Sequence, residues 1–147
     1  MSDFPDTCIR GIAKKNQISV DEVTVLAALY MPDSRTAETR EDGCQEISIN
    51  WEDNEEVMSF TLNHRSSKDQ FFSYPHGAVR VSRAKIDDIN TFNGTQDGVF
   101  YERQKIPGNE YHGNLVFKKK LTKNQITFIA NMLAAASSNI HIRETMK

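Results

Sequence analysis

The pattern of apolar and polar positions near the C-terminus predicts a long amphipathic helix. Apolar side chains recur there at helical spacing along one stripe: Ile126, Ile129, Ala130 and Leu133. Thr122 and Gln125 precede the stripe at the spacing of a capping box, so the helix is expected to begin just after Thr122. Phe128, Met132 and Ala135 are expected to widen the apolar side, which predicts a half-buried helix.

Alternation of apolar and polar residues predicts several short strands. Ile47, Ile49 and Trp51 alternate with polar neighbours and predict a strand over residues 45–52 with one face in water. Further strands are predicted at residues 78–82, 98–102 and 114–118, with an edge strand at 140–142.

Two short helices are predicted between the strands. Asp53 or Asn54 is expected to cap the first, with Glu55 and Glu56 in its first turn, where the helix dipole favours anions. The second is predicted around residues 85–89.

The apolar segment at residues 23–31 is compatible with two structures. Ser19 and Glu22 have capping-box spacing, which favours a helix. The β-branched start of the segment and Pro32 favour a buried extended run, and we predict the extended form. Residues 33–43 are polar and are expected to form a mobile loop.

Strands and helices are mixed along the chain without regular alternation, which favours an α+β domain over a doubly wound sheet. The chain has 147 residues, about the size of one domain, and contains no internal repeat or domain-scale linker. We therefore expect a single compact α+β domain over residues 1–147. Its sheet is expected to be mostly antiparallel or mixed, with the long C-terminal helix packed on it.

Composition and charge narrow the functional class. The net charge of −2 makes nucleic acid an unlikely partner, even though Lys118–Lys120 follow Phe117. Cys8 and Cys44 lack zinc-knuckle spacing and are too few for a disulfide-rich secreted chain. The N-terminus does not resemble a signal peptide, and no apolar stretch reaches the ~18 residues of a membrane helix. We expect a soluble cytoplasmic protein with no membrane association.

Motifs with a known catalytic mechanism are absent from the sequence. It contains no P-loop, dinucleotide fingerprint, nucleophile elbow or His-Glu-x-x-His pair. We expect no metal site and no cofactor, because the histidines are scattered and none lies four residues from another. They are His64, His76, His112 and His141. The cysteines are expected to be inert, since a catalytic cysteine needs a lowered pKa and a nearby base.

The most unusual stretch is Tyr111-His112-Gly113-Asn114. Its glycine allows a backbone conformation that other residues resist, while its neighbours offer hydrogen-bonding groups at the start of a strand. His112 is either a proton shuttle near neutral pH or a structural histidine beside a turn. Tyr111 and Asn114 are the candidate ligand contacts beside it.

Two further positions are candidates for chemistry. Arg10, next to Gly11, either clamps a phosphate or carboxylate in two-pronged fashion or forms an ion pair at a strand end. Trp51 and Glu52 offer a ring for stacking and a carboxylate for hydrogen bonding, although a lone tryptophan at the end of a strand also serves as a core anchor.

Three short segments carry a resemblance to known proteins. Cys-Ile-Arg-Gly-Ile at 8–12, Gln-Glu-Ile-Ser-Ile-Asn-Trp at 45–51 and Tyr-His-Gly-Asn at 111–114 together resemble a set of small bacterial proteins of uncharacterised function. The resemblance implies a bacterial or phage-encoded cytoplasmic domain and transfers no catalytic residue. Tyr-His-Gly is also similar to the histidine motif of some ADP-ribosyltransferases. In those enzymes a tyrosine follows much later, whereas none follows Tyr111 here.

These observations support two hypotheses. The first is a module without catalytic activity that binds a partner protein or a small ligand, with Tyr111, Asn114 and Trp51 as ligand contacts. The alternative is a small enzyme acting on an anionic or nucleotide-like substrate. It would use His112 as acid or base, with Arg10 as anion clamp and Glu52 as orienting carboxylate. The two hypotheses differ in whether these last three residues share a pocket.

Overall fold

The structure is a computed structural model of the chain and describes residues 4–143. Within them, five strands form one antiparallel sheet in the order β3-β1-β2-β5-β4. The strands are β1 (Thr7–Gly11), β2 (Gln45–Trp51), β3 (Ala78–Ser82), β4 (Val99–Arg103) and β5 (His112–Phe117). The α-helices are α1 (Val57–Asn63), α2 (Arg83–Ile89) and α3 (Lys123–Ala136). The predicted α+β class, with its antiparallel sheet and C-terminal helix, is confirmed.

The two faces of the sheet differ in what covers them. The core face packs against α2, α3 and a 3₁₀ helix at Ala27–Tyr30, and holds the larger cluster of buried side chains, including Trp51 and Leu115. The opposite face, called the polar face below, carries a smaller apolar cluster where α1 packs on β1, β2 and β3. Away from α1, the side chains of β2, β4 and β5 on this face include five polar ones and two apolar ones. The polar ones are Ser48, Asn50, Glu102, His112 and Asn114, and the apolar ones are Phe100 and Val116.

Helix α3 follows its local signals closely. Thr122 accepts a hydrogen bond from the Gln125 backbone, and the reciprocal bond completes the predicted capping box. The predicted stripe is buried, which places this side of the helix against the core face. The prediction that Phe128 and Ala135 widen this buried side is wrong, because Phe128 is 44% exposed and Ala135 is also exposed. A single helix layered on a sheet keeps an outer side, and these two residues lie on it.

The segment at residues 23–31 forms neither one continuous helix nor an extended run. It forms a single bridge between Val25 and Ile18, and then the 3₁₀ helix Ala27–Tyr30. Leu29 and Tyr30 are both fully buried, but they lie in this helical turn and not in a strand. The prediction of an extended run is therefore wrong.

Other local predictions need smaller corrections. The polar segment after Pro32 contains a 3₁₀ helix, Ser34–Glu38, so it is not simply a loop. Helix α1 begins at Val57, after the expected cap, so Glu55 and Glu56 precede the helix. The expected edge strand at 140–142 is a single bridge to β3.

Candidate functional site

The glycine of the Tyr-His-Gly-Asn stretch is required for space. Gly113 lies in extended β5, and a Cβ built there would be 2.3 Å from Trp51 Nε1 and 2.3 Å from the Glu102 carbonyl oxygen. The close approach lets the indole Nε1 donate to that carbonyl at 3.1 Å. Gly113 is not among the residues with positive φ, so the expected need for unusual backbone freedom is wrong.

Trp51 is a core anchor. It is 0% exposed, and its ring lies 4.8 Å from Phe4 and 5.5 Å from Tyr101, measured between ring centroids. With its one N–H bonded to Glu102, the indole offers neither a free face nor a donor to a ligand.

His112 is held by the neighbouring strand. Its Nδ1 lies 2.8 Å from the Gln104 carbonyl oxygen, which only accepts hydrogen bonds. Nδ1 therefore carries a proton, and Nε2 is the acceptor in the neutral ring. The ring is half-buried on the polar face.

Asn114 organises the middle of the polar face. It is 1% exposed, and its Nδ2 donates to Glu102 Oε1 at 2.9 Å and to Gln104 Oε1 at 2.8 Å. Its Oδ1 is buried without a hydrogen-bond partner among residues 4–143. Asn114 therefore positions two surface side chains and is not itself exposed to a ligand.

No pattern in the sequence predicts the ion-pair cluster that these residues support. Arg40 lies over the polar face with its Nη1 2.6 Å from Glu102 Oε1 and 3.6 Å from Glu46 Oε1, while its Nη2 is 2.8 Å from Asp42 Oδ2. Hydrogen bonds to Asp42 and Glu102 raise the pKa of Arg40, and its hydrogen bond lowers the pKa of Glu102. Arg40 and Glu102 are 62 residues apart, so no local pattern links them.

Arg10 fills a gap between two strands. The pairing of β1 with β2 ends at Ile9 and Asn50, which leaves the Ser48 carbonyl without a strand partner on that side. Arg10 Nη1 donates to this carbonyl at 2.8 Å, and its Nε donates to the Leu29 carbonyl at 3.1 Å. Burial lowers the pKa of Arg10. No carboxylate among residues 4–143 pairs with it, and its role in this structure is to satisfy backbone acceptors.

Glu52 has a different set of partners. Its carboxylate accepts from Thr7 Oγ1 at 2.6 Å and from Arg80 Nε at 2.8 and 2.9 Å. Burial acts to raise the pKa of Glu52, but the hydrogen bonds from Arg80 and Thr7 outweigh burial, so the pKa is lowered. Arg80 in turn places its Nη1 3.1 Å from His141 Nε2.

The three proposed catalytic side chains do not converge. Cys8 lies in the larger cluster and Ile9 in the smaller one, so strand alternation places Arg10 on the core-face side. Glu52 and His112 lie on the polar face, but the first is held towards β3 and the second towards β4. They share no hydrogen-bond partner, and the arrangement offers no common position for a substrate.

The cysteines also lack the properties of nucleophiles. Cys8 and Cys44 are free and buried. Burial raises the pKa of Cys8 to about 12, with Glu52 acting in the same direction and Arg10 against it. A thiol with so high a pKa is protonated at neutral pH and unreactive.

Tyr111 alone of the predicted ligand contacts borders a surface depression. It shares a hollow of about 470 Å³ with Phe60, whose ring centroid is 5.1 Å away, and with Ile106, which is 42% exposed. The hollow is wide open and mainly apolar, with Asn109 tied to Asn50 on the polar face.

The two edges of the sheet differ in how many of their outward backbone groups are hydrogen-bonded. At the β3 edge, Ala78 N donates to the His141 carbonyl at 2.9 Å and His141 N donates to the Ala78 carbonyl at 2.8 Å. At the β4 edge, the side chain of Asn90 imitates a strand. Its Nδ2 donates to the Val99 carbonyl at 2.7 Å, and its Oδ1 accepts from Val99 N at 2.9 Å.

Beyond Val99, the β4 edge is open. Gln104 N bonds to the His112 carbonyl and Lys118 N bonds to the Gly98 carbonyl, so even-numbered residues of β4 face β5. Tyr101 and Arg103 therefore direct their N–H and C=O groups outward. Among residues 4–143, no group accepts from or donates to them.

Comparisons with known proteins add no family. No model of a known protein family matches the chain, and neither a curated protein nor a solved structure matches it significantly. Bacterial origin therefore stays a prediction. In the described part of the chain no group of three or more His, Cys, Asp or Glu side chains could hold a metal ion. None of the helices at residues 4–143 is long and apolar enough to cross a membrane.

Proposed function

We propose that the protein is a binding module that adds an extended segment of a partner protein to the outer edge of β4. The observation that carries this proposal is the contrast between the two sheet edges. One edge is covered by residues 138–141, whereas at the other the backbone groups of Tyr101 and Arg103 have no hydrogen-bond partner within residues 4–143. Unpaired groups on an edge strand are a template for another strand, and natural proteins use this mode to bind peptides.

Side chains along the edge define the chemistry of the segment. Tyr101 and Arg103 lie on one side of β4, and Arg103 is bonded to Asp53 at 2.7 and 2.9 Å. Phe100 and Glu102 lie on the other side. Directly opposed strand residues interact, so the segment is expected to carry an acidic residue opposite Arg103 and a basic residue opposite Glu102. Its alternating charges would thus complement those of β4.

A second copy of the chain fits this edge poorly. An antiparallel pair centred on Glu102 would bring two Glu102 carboxylates together, and one centred on Arg103 would oppose two guanidinium groups. A pair centred on Tyr101 would place Arg103 against Val99, whose backbone groups Asn90 already occupies. The partner is therefore a different protein. The free thiols of Cys8 and Cys44 support a reducing compartment, and we place the module in the cytoplasm.

The test is a selection from a displayed library of linear dodecapeptides, followed by titration of the selected peptides into isotopically labelled protein. The largest amide shifts are expected at Tyr101 and Arg103. Arg103→Pro removes one outward N–H without breaking a bond of the sheet, and binding should fall at least about tenfold. Arg103→Ala is the matched control: it loses the same side chain but keeps the N–H, so it should bind at least about tenfold more tightly than Arg103→Pro.

Three results would contradict this function. The first is that the selection yields no peptide. The second is that Arg103→Pro and Arg103→Ala bind the selected peptides equally well. The third is that the amide shifts lie away from β4. Shifts confined to the hollow beside Tyr111 would instead support the small-ligand form of the binding hypothesis. The enzyme alternative receives no support from this geometry, because Arg10 is directed away from Glu52 and His112.

A further inference from the structure

The segment after α3 lies along β3 and pairs with it through a single bridge. His141 exchanges two backbone hydrogen bonds with Ala78, and Ser138 N donates to the Arg80 carbonyl at 2.9 Å. Ser138 Oγ also accepts from Arg80 N at 2.9 Å. A Cβ at Gly77 would be 2.3 Å from the His141 carbonyl oxygen, so the glycine makes room for this contact. The segment covers the backbone groups of β3 that would otherwise form an open edge.

One side-chain contact of this segment depends on protonation. His141 Nε2 lies 3.1 Å from Arg80 Nη1. A guanidinium group has only donors, so Nε2 must offer its lone pair and the ring must be unprotonated at this nitrogen. Protonation would set an N–H against an N–H and place two positive charges in contact. Arg80 cannot easily turn away, because its Nε is held by both oxygens of Glu52.

Charged groups around the ring act in both directions. Arg80 on β3 opposes protonation of His141, and Glu52 favours it. Glu55, which precedes α1, and Arg143, which follows the segment, line the same hollow as His141. Burial and Arg80 outweigh Glu52, and the pKa of His141 is lowered. Arg143 is anchored elsewhere, with its guanidinium carbon 3.5 Å from the centroid of the Phe72 ring.

We propose that residues 138–142 form a pH-released segment, in which protonation of His141 detaches the segment from β3 and exposes the outward backbone groups of that strand. This goes beyond binding at β4, since it concerns the opposite edge and does not depend on it. The released form gains one proton at His141 and loses the two backbone bonds to Ala78 and the two bonds between Ser138 and the backbone of Arg80. Its population should therefore rise as pH falls, by at most about tenfold per pH unit, the limit for one linked proton.

Amide hydrogen exchange tests the proposal residue by residue. The amides of Ala78 and Arg80 donate to the segment. The amides of Val79 and Val81 point the other way, towards β1. At the two ends of the β1–β3 pairing, Ile12 N bonds to the Gly77 carbonyl and Arg83 N bonds to the Asp6 carbonyl, so odd-numbered residues of β3 face β1. The ratio of exchange rates between the two sets reports detachment, because the chemical effect of pH on exchange cancels in it. Between pH 7.5 and 5.5 the ratio should rise severalfold, while nuclear magnetic resonance of the His141 ring records its protonation.

His141→Gln keeps an acceptor for Arg80 and cannot be protonated, so its exchange ratio should not change with pH. His112→Gln is the matched control on β5, far from this edge in the sheet order, and should keep the wild-type change. The proposal is overturned if the wild-type ratio is constant while the His141 ring titrates. It is equally overturned if His141→Gln shows the same rise. If the glutamine variant does not fold, the wild type alone provides the test. A rise of the exchange ratio over the same pH range as the His141 titration supports the proposal, and a rise over a different range overturns it.

Discussion

Replacing Gly113 by alanine is the smallest change expected to damage this fold. The added methyl group would meet Trp51 Nε1 and the Glu102 carbonyl oxygen, each at 2.3 Å. Neither neighbour is the free end of a flexible side chain. The indole is packed between Phe4 and Tyr101, and the carbonyl belongs to β4, which is paired along β5. The strands must therefore separate or the tryptophan must move.

The expected cost follows from two contributions. Overpacking a close contact of this kind costs roughly 1–3 kcal/mol. Displacing the indole also breaks its hydrogen bond to Glu102 and leaves a buried N–H without a partner, which costs about 1–3 kcal/mol. Together they predict that Gly113→Ala lowers the free energy of unfolding by about 2–6 kcal/mol. Helix propensity plays no part, because the residue lies in a strand.

Urea denaturation measures this cost directly, since Trp51 is the single tryptophan and its fluorescence reports the site. Gly94→Ala is a useful control. Its Cβ would meet nothing within 4 Å, although the backbone φ of +94° strains any side chain. Its loss should be about 1 kcal/mol, from backbone conformation alone. A Gly113→Ala protein with an unchanged urea midpoint and unchanged fluorescence would refute the packing argument.

Four further outcomes are expected. Arg10→Gln should lower stability by about 1–3 kcal/mol in urea denaturation, because two backbone carbonyls lose their donor; equal stability would mean that water replaces it. Leu133→Ala should cost roughly 2–5 kcal/mol in the same assay, and no change would show that the stripe of α3 is not in the core. His112→Ala should lower the melting temperature if the ring is structural, whereas a lost ligand response with an unchanged melt would indicate a binding site. The pKa of Glu52 is lowered in the folded chain, so its stabilising contribution is present above the usual value of 4.5 and lost as pH falls through the folded-state pKa. Urea midpoints should therefore fall less steeply with acid in Glu52→Gln than in wild type, and parallel curves would contradict this.

The parts of the fold that could be predicted are those encoded by neighbouring residues. Helix α3 has its cap, its stripe and its end within fifteen residues, and each signal acts locally. Strand β2 alternates cleanly because one side of it faces a core. Strand β1 was not predicted as such, since five residues containing Arg10 and Gly11 give neither alternation nor a long apolar run.

The candidate site could not be predicted, because its groups meet only through the sheet. Asn114 was identified as unusual, but its partners Glu102 and Gln104 come from another strand. Gly113 was assigned to backbone freedom, whereas the indole that requires it lies 62 positions earlier in the chain. Such close approaches depend on strand register, and register is not readable from a single strand.

The treatment of the sheet edges supports a binding role more directly than any side-chain cluster does. The chain covers β3 with its own C-terminal segment and covers Val99 with the side chain of Asn90. Natural proteins block edges because unpaired strands recruit other chains. Of the three β4 residues that face outward, Val99 alone is covered within residues 4–143. In the proposed binding mode, the outward groups of Tyr101 and Arg103 pair with the added segment, and the ion pair between Arg103 and Asp53 beside them favours a polar segment over an apolar one.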